Sequence, residues 1–298
     1  MIHGMCCGGW FWENYSNFFA NEGYRCLTPT LRFHDVDPTE RPHPHIGTVS
    51  LLDYAQDLET QILQLNTTPI IIGHSMGGLL AQILGSRGLA RVLVLLTPAP
   101  PAGIIALRPS VLRGFQSGLS RWGFWRKPFR QTFVEAEYSV LNRMPHERRQ
   151  EIFNRFVYES GRAASEIGFW FLDAKKAARV DGGKVRCPVL VVAGAHDRMT
   201  PATICRQVAA KYAAVATFKQ FDNHSHWITA EPGWRDIAQY VAAWLRRAVP
   251  DETCSNYHLR LFVRIIKETF IKEILREISI GEAECACEST AVLTVSLL

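Results

Sequence analysis

Apolar runs and helix-period stretches alternate along most of this chain. Residues 69–72, 91–96, 188–194 and 214–219 are short, β-branched and bounded by Gly, Pro or polar residues, so they read as buried strands, with 24–28 as a further one. Helical patterns fall between them, over 11–21, from Ser50 to about 65, over 79–84, and from Pro232 to about 247. Ser50 with Asp53 resembles a capping box, and Pro232 suits a first helical position. Such alternation implies an α/β fold with a mostly parallel sheet flanked by helices. Residues 104–185 break the rhythm, being helical, interrupted and without a strong strand. Past 250 the pattern changes again: Phe262, Ile266, Phe270, Ile274 and Ile278 recur every four residues in an amphipathic helix over 257–280, and 291–298 has strand-like composition.

Composition narrows the class. A chain of 298 residues that is 47% hydrophobic can bury one substantial core. Its net charge of +5 is spread out and forms no basic run, which argues against a nucleic-acid partner. The eight cysteines (Cys6, Cys7, Cys26, Cys187, Cys205, Cys254, Cys285 and Cys287) lack the paired spacing of a zinc site. Cys6 and Cys7 are too close for an ordinary disulfide, so reduced thiols in a cytoplasmic setting are the simpler expectation. No apolar run reaches the roughly 18 residues of a spanning helix, and no cofactor or metal is expected.

The chemistry centres on Gly73-His74-Ser75-Met76-Gly77-Gly78, which leaves one apolar run and enters a helical pattern. A serine hydroxyl attacks a carbonyl only when it is held exposed beside a base, with N–H groups facing the oxyanion. A sharp strand-to-helix turn gives that geometry, and it needs glycine on both sides because a Cβ would meet neighbouring backbone. The expected nucleophile is therefore Ser75, with the N–H of Met76 as one oxyanion donor. In this architecture the acid and then the histidine follow in chain order. Asp197 lies in the loop after the 188–194 run, at a strand's carboxyl end, where open α/β sheets place catalytic groups. It could also serve as a turn residue ahead of Thr200-Pro201. His224 and His226 follow the 214–219 run, and either could be the base.

From its start to about residue 249 the chain resembles the α/β-hydrolase superfamily, on the Gly73–Gly78 elbow, the early His3-Gly4 loop and the His226-Trp227 pair followed by Glu231-Pro232-Gly233-Trp234. The resemblance implies His226 as the base and the N–H of Met5, first after His-Gly, as the second oxyanion donor. It implies a hydrolase core in 1–103 and 186–249 and a helical cap over 104–185; residues 250–298 are an extension unlike the family, which docks a partner or membrane surface, covers a sheet edge or is foreign to the domain. In the resembled fold a central strand leads into the His-Gly loop, with two more before it, so N-terminal strands are expected to be missing here.

The implied activity is a serine hydrolase cleaving a carboxylic ester or thioester through an acyl-enzyme on Ser75, His226 and Asp197. Alternatives are a catalytically weak or inactive binding protein of the same fold, or carbon–carbon hydrolysis, perhydrolysis or hydroxynitrile cleavage on the same triad. Phe115, Trp122, Phe124, Trp125, Phe129 and Phe133 point to a small-molecule substrate with an apolar portion. The interleaved Arg113, Arg121, Arg126, Lys127 and Arg130 could bind an acidic head group, although a solvated face is the commoner arrangement.

Overall fold

Four parallel strands carry the fold: β1 (Ile70–His74), β2 (Val92–Leu96), β5 (Val189–Gly194) and β6 (Ala216–Phe221), side by side in the order β1-β2-β5-β6. The computed structural model describes residues 1–249, so the helix expected over 257–280 and the strand-like 291–298 lie outside the described residues. β2 and β5 are buried at every position, as their Val/Leu-rich sequences require of strands covered on both faces. β6 is half-buried throughout, as an outer strand should be.

Helices α1 (Glu13–Asn21), α2 (Leu51–Leu63), α3 (Met76–Ser86), α9 (Ala202–Lys211) and α10 (Trp234–Ala248) accompany the sheet. α3 runs between β1 and β2 and is buried over ten consecutive residues, so it acts as a core element. α2 opens with the expected capping box: Leu52 N–H donates to Ser50 Oγ, and Asp53 accepts from Ser50 N–H at 2.8 Å. α10 begins at Trp234, two residues after Pro232.

The sheet edge beside β1 departs from the pattern read in the sequence. Ile2 donates to Ile72 O (2.8 Å) and accepts from His74 N–H (3.0 Å), a single parallel bridge. Residues 24–28, expected as a strand, are irregular. Their neighbour on this side is that one bridge, too short to template a ladder, and the tie between them is the Met1 ammonium donating to Leu27 O at 2.6 Å.

Between β2 and β5 lies a long insertion containing α4 (Pro109–Gly114), α5 (Gln116–Leu119), α6 (Phe133–Ser139), α7 (His146–Asn154) and α8 (Gly161–Gly168). It is mainly helical, but it also holds an antiparallel pair missed by the sequence reading, β3 (Pro128–Phe129) with β4 (Glu159–Ser160). Two residues per strand leave no periodicity to detect. This pair is braced by Glu159, whose carboxylate accepts from Tyr54 Oη (2.8 Å), Ser160 N–H (2.6 Å) and His34 Nε2 (3.0 Å). Burial opposes both charges, yet the mutual attraction prevails: His34 is pushed above its usual pKa and Glu159 below.

Candidate active site

β1 turns into α3 through Ser75, at φ 53° and ψ −120°, a left-handed backbone position that costs roughly 1–3 kcal/mol for a residue with a Cβ. The surroundings hold it there. Ser75 N–H donates to Leu96 O (3.1 Å), and its carbonyl accepts from Gly78 (2.9 Å), Leu79 (3.2 Å) and Ala99 (2.9 Å). A Cβ on Gly73 would overlap the Gly77 carbonyl, and one on Gly77 would overlap the carbonyls of Ile2 and His3. The glycines therefore let the corner close against the first residues of the chain.

Those residues form the His-Gly loop. His3 is fully buried; its Nε2 accepts from Leu31 N–H (3.0 Å), so Nδ1 carries the proton and donates to Gly4 O at 2.8 Å. Burial, with the neighbouring His34 second, lowers its pKa to about 3, which keeps this neutral form at all ordinary pH. The loop passes so near the corner that a Cβ on Gly4 would stand 3.0 Å from Ser75 Cβ. Met5 and Met76 both border the same cavity as Ser75, and neither N–H donates a hydrogen bond among the described residues.

Asp197, in the loop after β5, is buried and accepts four contacts. Oδ1 takes Met199 N–H (2.7 Å) and Thr200 N–H (2.9 Å), while Oδ2 meets Thr200 Oγ1 (2.9 Å) and His226 Nδ1 (2.8 Å). Burial alone would raise its pKa; the His226 ring and the two N–H groups outweigh burial and hold it below the usual value. An ionised Asp197 fixes the proton of His226 on Nδ1 and leaves Nε2 as an acceptor. His224, the other histidine of this loop, turns instead to Glu231 Oε2 at 3.2 Å, and His196 is exposed.

Glu231 and His74 make contacts that their places in the sequence do not announce. Glu231 is fully buried and accepts from Ser225 N–H (2.7 Å) and Trp227 N–H (3.0 Å), the residues on either side of His226. One carboxylate thus clamps the histidine loop from both flanks. His74 Nε2 donates to His226 O at 2.9 Å, and its ring lies 4.8 Å from that of His226, joining the serine corner to the histidine loop. Asn142, from the insertion, bonds Ser225 Oγ (2.5 Å) and donates to His196 O (3.1 Å), tying the insertion to both loops. The signals available were His3-Gly4 and the Glu231-Pro232 turn; nothing local marks Asn142.

Above Ser75 opens a cavity with about 780 Å³ of empty space, its mouth included. The core supplies Met5, Ser75, Met76 and Thr200, and the insertion supplies Leu107, Val111, Phe115, Phe124, Phe129 and Phe169 among others. Among the described residues no charged side chain lines it. The interleaved Arg113, Arg121, Arg126, Lys127 and Arg130 are not among its lining residues; Arg113 lies 4.0 Å over the Tyr138 ring, and Arg130, half-buried, donates to Pro38 O and Phe156 O. Among the described residues no group of three His, Cys, Asp or Glu side chains could hold a metal ion, and no helix is long and apolar enough to cross a membrane.

A serine set on such a corner, at the carboxyl edge of a parallel sheet, defines the class of α/β-hydrolase folds. The chain belongs to the alpha/beta hydrolase family, whose family model matches residues 1–243. It is similar in fold to a pyrethroid hydrolase from Sphingobium faniae (17% identity, TM-score 0.61, covering 82% of this chain and 94% of that one). It also resembles a methylesterase from Arabidopsis (13%, TM-score 0.59, 84% and 98%) and a monoacylglycerol lipase from Paleococcus ferrophilus (18%, TM-score 0.59, 82% and 91%). No curated protein matches the sequence.

Proposed function

We propose that this protein is a serine hydrolase that cleaves carboxylic esters with an apolar acyl portion. The carrying observation is the corner itself: Ser75 is held at a strained φ on the floor of an uncharged cavity, beside two N–H groups with no partner. In this reading Ser75 Oγ attacks the ester carbonyl and passes its proton to His226 Nε2. The N–H groups of Met5 and Met76 hold the oxyanion, and Asp197 orients His226 and stabilises its charged form. His226 then protonates the leaving alcohol. Water attacks the acyl-enzyme, giving a proton to His226, and the carboxylic acid departs as Ser75 recovers its proton.

The apolar lining favours an aliphatic or aromatic acyl group over an acidic one, since a charged group there would lose hydration without a partner. Residues 104–185 act as a cap in this scheme, and the neighbours named above, which include esterases and a lipase, agree with ester hydrolysis. A cytoplasmic setting belongs to the proposal and rests on cysteine spacing. The test is hydrolysis of p-nitrophenyl esters of increasing acyl length by the protein and by Ser75→Ala. The scheme expects turnover to rise from acetate toward longer acyl chains and to vanish in the variant. Turnover equal in both proteins would refute it.

A further inference from the structure

We infer that the outer face of the insertion is a docking surface for an anionic lipid layer, from which the ester reaches Ser75. The docking does not depend on the hydrolase assignment; the delivery of substrate rests on it.

The first observation is charge. Between residues 104 and 134 the chain has six cations, Arg108, Arg113, Arg121, Arg126, Lys127 and Arg130, and no Asp or Glu. All but Arg130 are exposed. In the nearby stretch after α8, Lys175 and Lys176 are also exposed, and the carboxylate of Asp173 accepts from the N–H groups of Lys175 and Ala177.

The second observation is apolar exposure on the same elements. Trp122 is 86% exposed, Leu172 75%, Ile105 60% and Phe171 56%, with Leu112 and Trp125 also exposed. Isolated exposed apolar residues are ordinary, but these side chains belong to neighbouring pieces of one insertion and include two tryptophans. Tryptophan beside Arg and Lys suits the boundary between lipid head groups and acyl chains, where the ring is half-immersed and the cations meet anionic heads. Each cation near such a surface adds to the attraction, and salt screens it.

The third observation joins the patch to the cavity. Trp122 meets Trp125 at 5.4 Å between ring centroids, Trp125 meets Phe124 at 5.6 Å, Phe124 meets Phe169 at 6.0 Å, and Phe169 meets Phe171 at 6.4 Å. Phe124 and Phe169 line the cavity, whereas Trp122 and Phe171 face outward. An apolar ester leaving a lipid layer at Trp122 would therefore stay on aromatic surface as far as the chamber above Ser75. A free aqueous ester would have no use for such a path, and this selects a lipid layer as the occupant.

The experiment is co-sedimentation of the full chain carrying Ser75→Ala with phosphatidylcholine vesicles, with and without phosphatidylglycerol. Trp122→Ser/Trp125→Ser and Arg126→Glu/Lys127→Glu are compared in the same background. The expected result is binding to the phosphatidylglycerol vesicles that weakens in high salt. It should be lost in the tryptophan variant and fall on the order of tenfold or more in the charge-reversed one. Absence of binding to anionic vesicles by the parent, or binding by both variants as strong as the parent's, would overturn the docking surface. With Ser75 restored, unchanged hydrolysis of a short soluble ester by both variants would show that the fold and site survive, so a docking failure can be told from failure of the hydrolase reading.

Discussion

The sheet core and the β2–β5 insertion face each other across one cavity and are built on different terms. In the core, parallel ladders and α3 bring Ser75, Asp197 and His226 to strand ends and loops whose backbone is fixed by buried hydrogen bonds. The insertion has short helices and one two-residue ladder, stitched by side-chain-to-backbone bonds such as Gln131 to Gly114 O and Arg143 to Asn223 O. In the proposed scheme the core fixes the reacting atoms, while the insertion shapes what they meet. Alteration of the core should therefore change turnover for every ester, and alteration of the insertion should change which ester is preferred.

The largest effect expected from a site partner is at Asp197. Asp197→Asn removes the charge that keeps the His226 proton on Nδ1, so kcat should fall on the order of 10³ to 10⁴ for short and long esters alike, as steady-state kinetics would record. A loss confined to one chain length would break the division between the regions.

Next is the buried clasp between them. Glu159→Gln leaves His34 buried without its anion and should cost about 3 kcal/mol of unfolding free energy near pH 6. The sign follows from the shifts. His34 is raised, so its contribution is fully present below the usual histidine pKa of 6.5 and fades as pH rises through the higher folded value. Glu159 is lowered, so its contribution is present above the usual 4.5 and fades as acid carries pH through its lower folded value. Urea titrations should thus find the gap between wild type and variant wide near pH 6 and narrower in alkali. A gap that widens in alkali would contradict the pairing.

The smallest effect lies in the chamber wall. Phe115 packs edge-on to Phe129 at 5.6 Å, and both line the cavity. Phe115→Ala should shift kcat/KM toward longer acyl chains by roughly tenfold relative to short ones, within the 1–3 kcal/mol available from a hydrophobic pocket. An unchanged chain-length profile would place the acyl group elsewhere.

The same contrast governs what the sequence disclosed. Buried strands write themselves as Val, Leu and Ile runs, and the elbow needs its glycines for close backbone contact, so β1, β2, β5 and the corner at Ser75 were legible. Residues 24–28 read as a strand because local β character was all that could be seen; whether a ladder forms depends on a neighbour, here one bridge at Ile2. In the insertion, the β3–β4 pair, the Asn142 tie and the His34–Glu159 clasp join residues far apart in the chain, up to 125 positions, and no local spacing predicts them. Glu231 was visible as a residue of the turn, but its grip on the N–H groups around His226 depends on the folded loop.

The central claim is that Ser75 is an activated nucleophile. The most direct measurement is treatment of the folded protein with a fluorophosphonate, followed by mass mapping of the adduct. The account predicts a single phosphonyl adduct on Ser75 that disappears in Ser75→Ala and is strongly reduced in Asp197→Asn. A folded protein that takes no label, or takes it at another residue, would contradict the account.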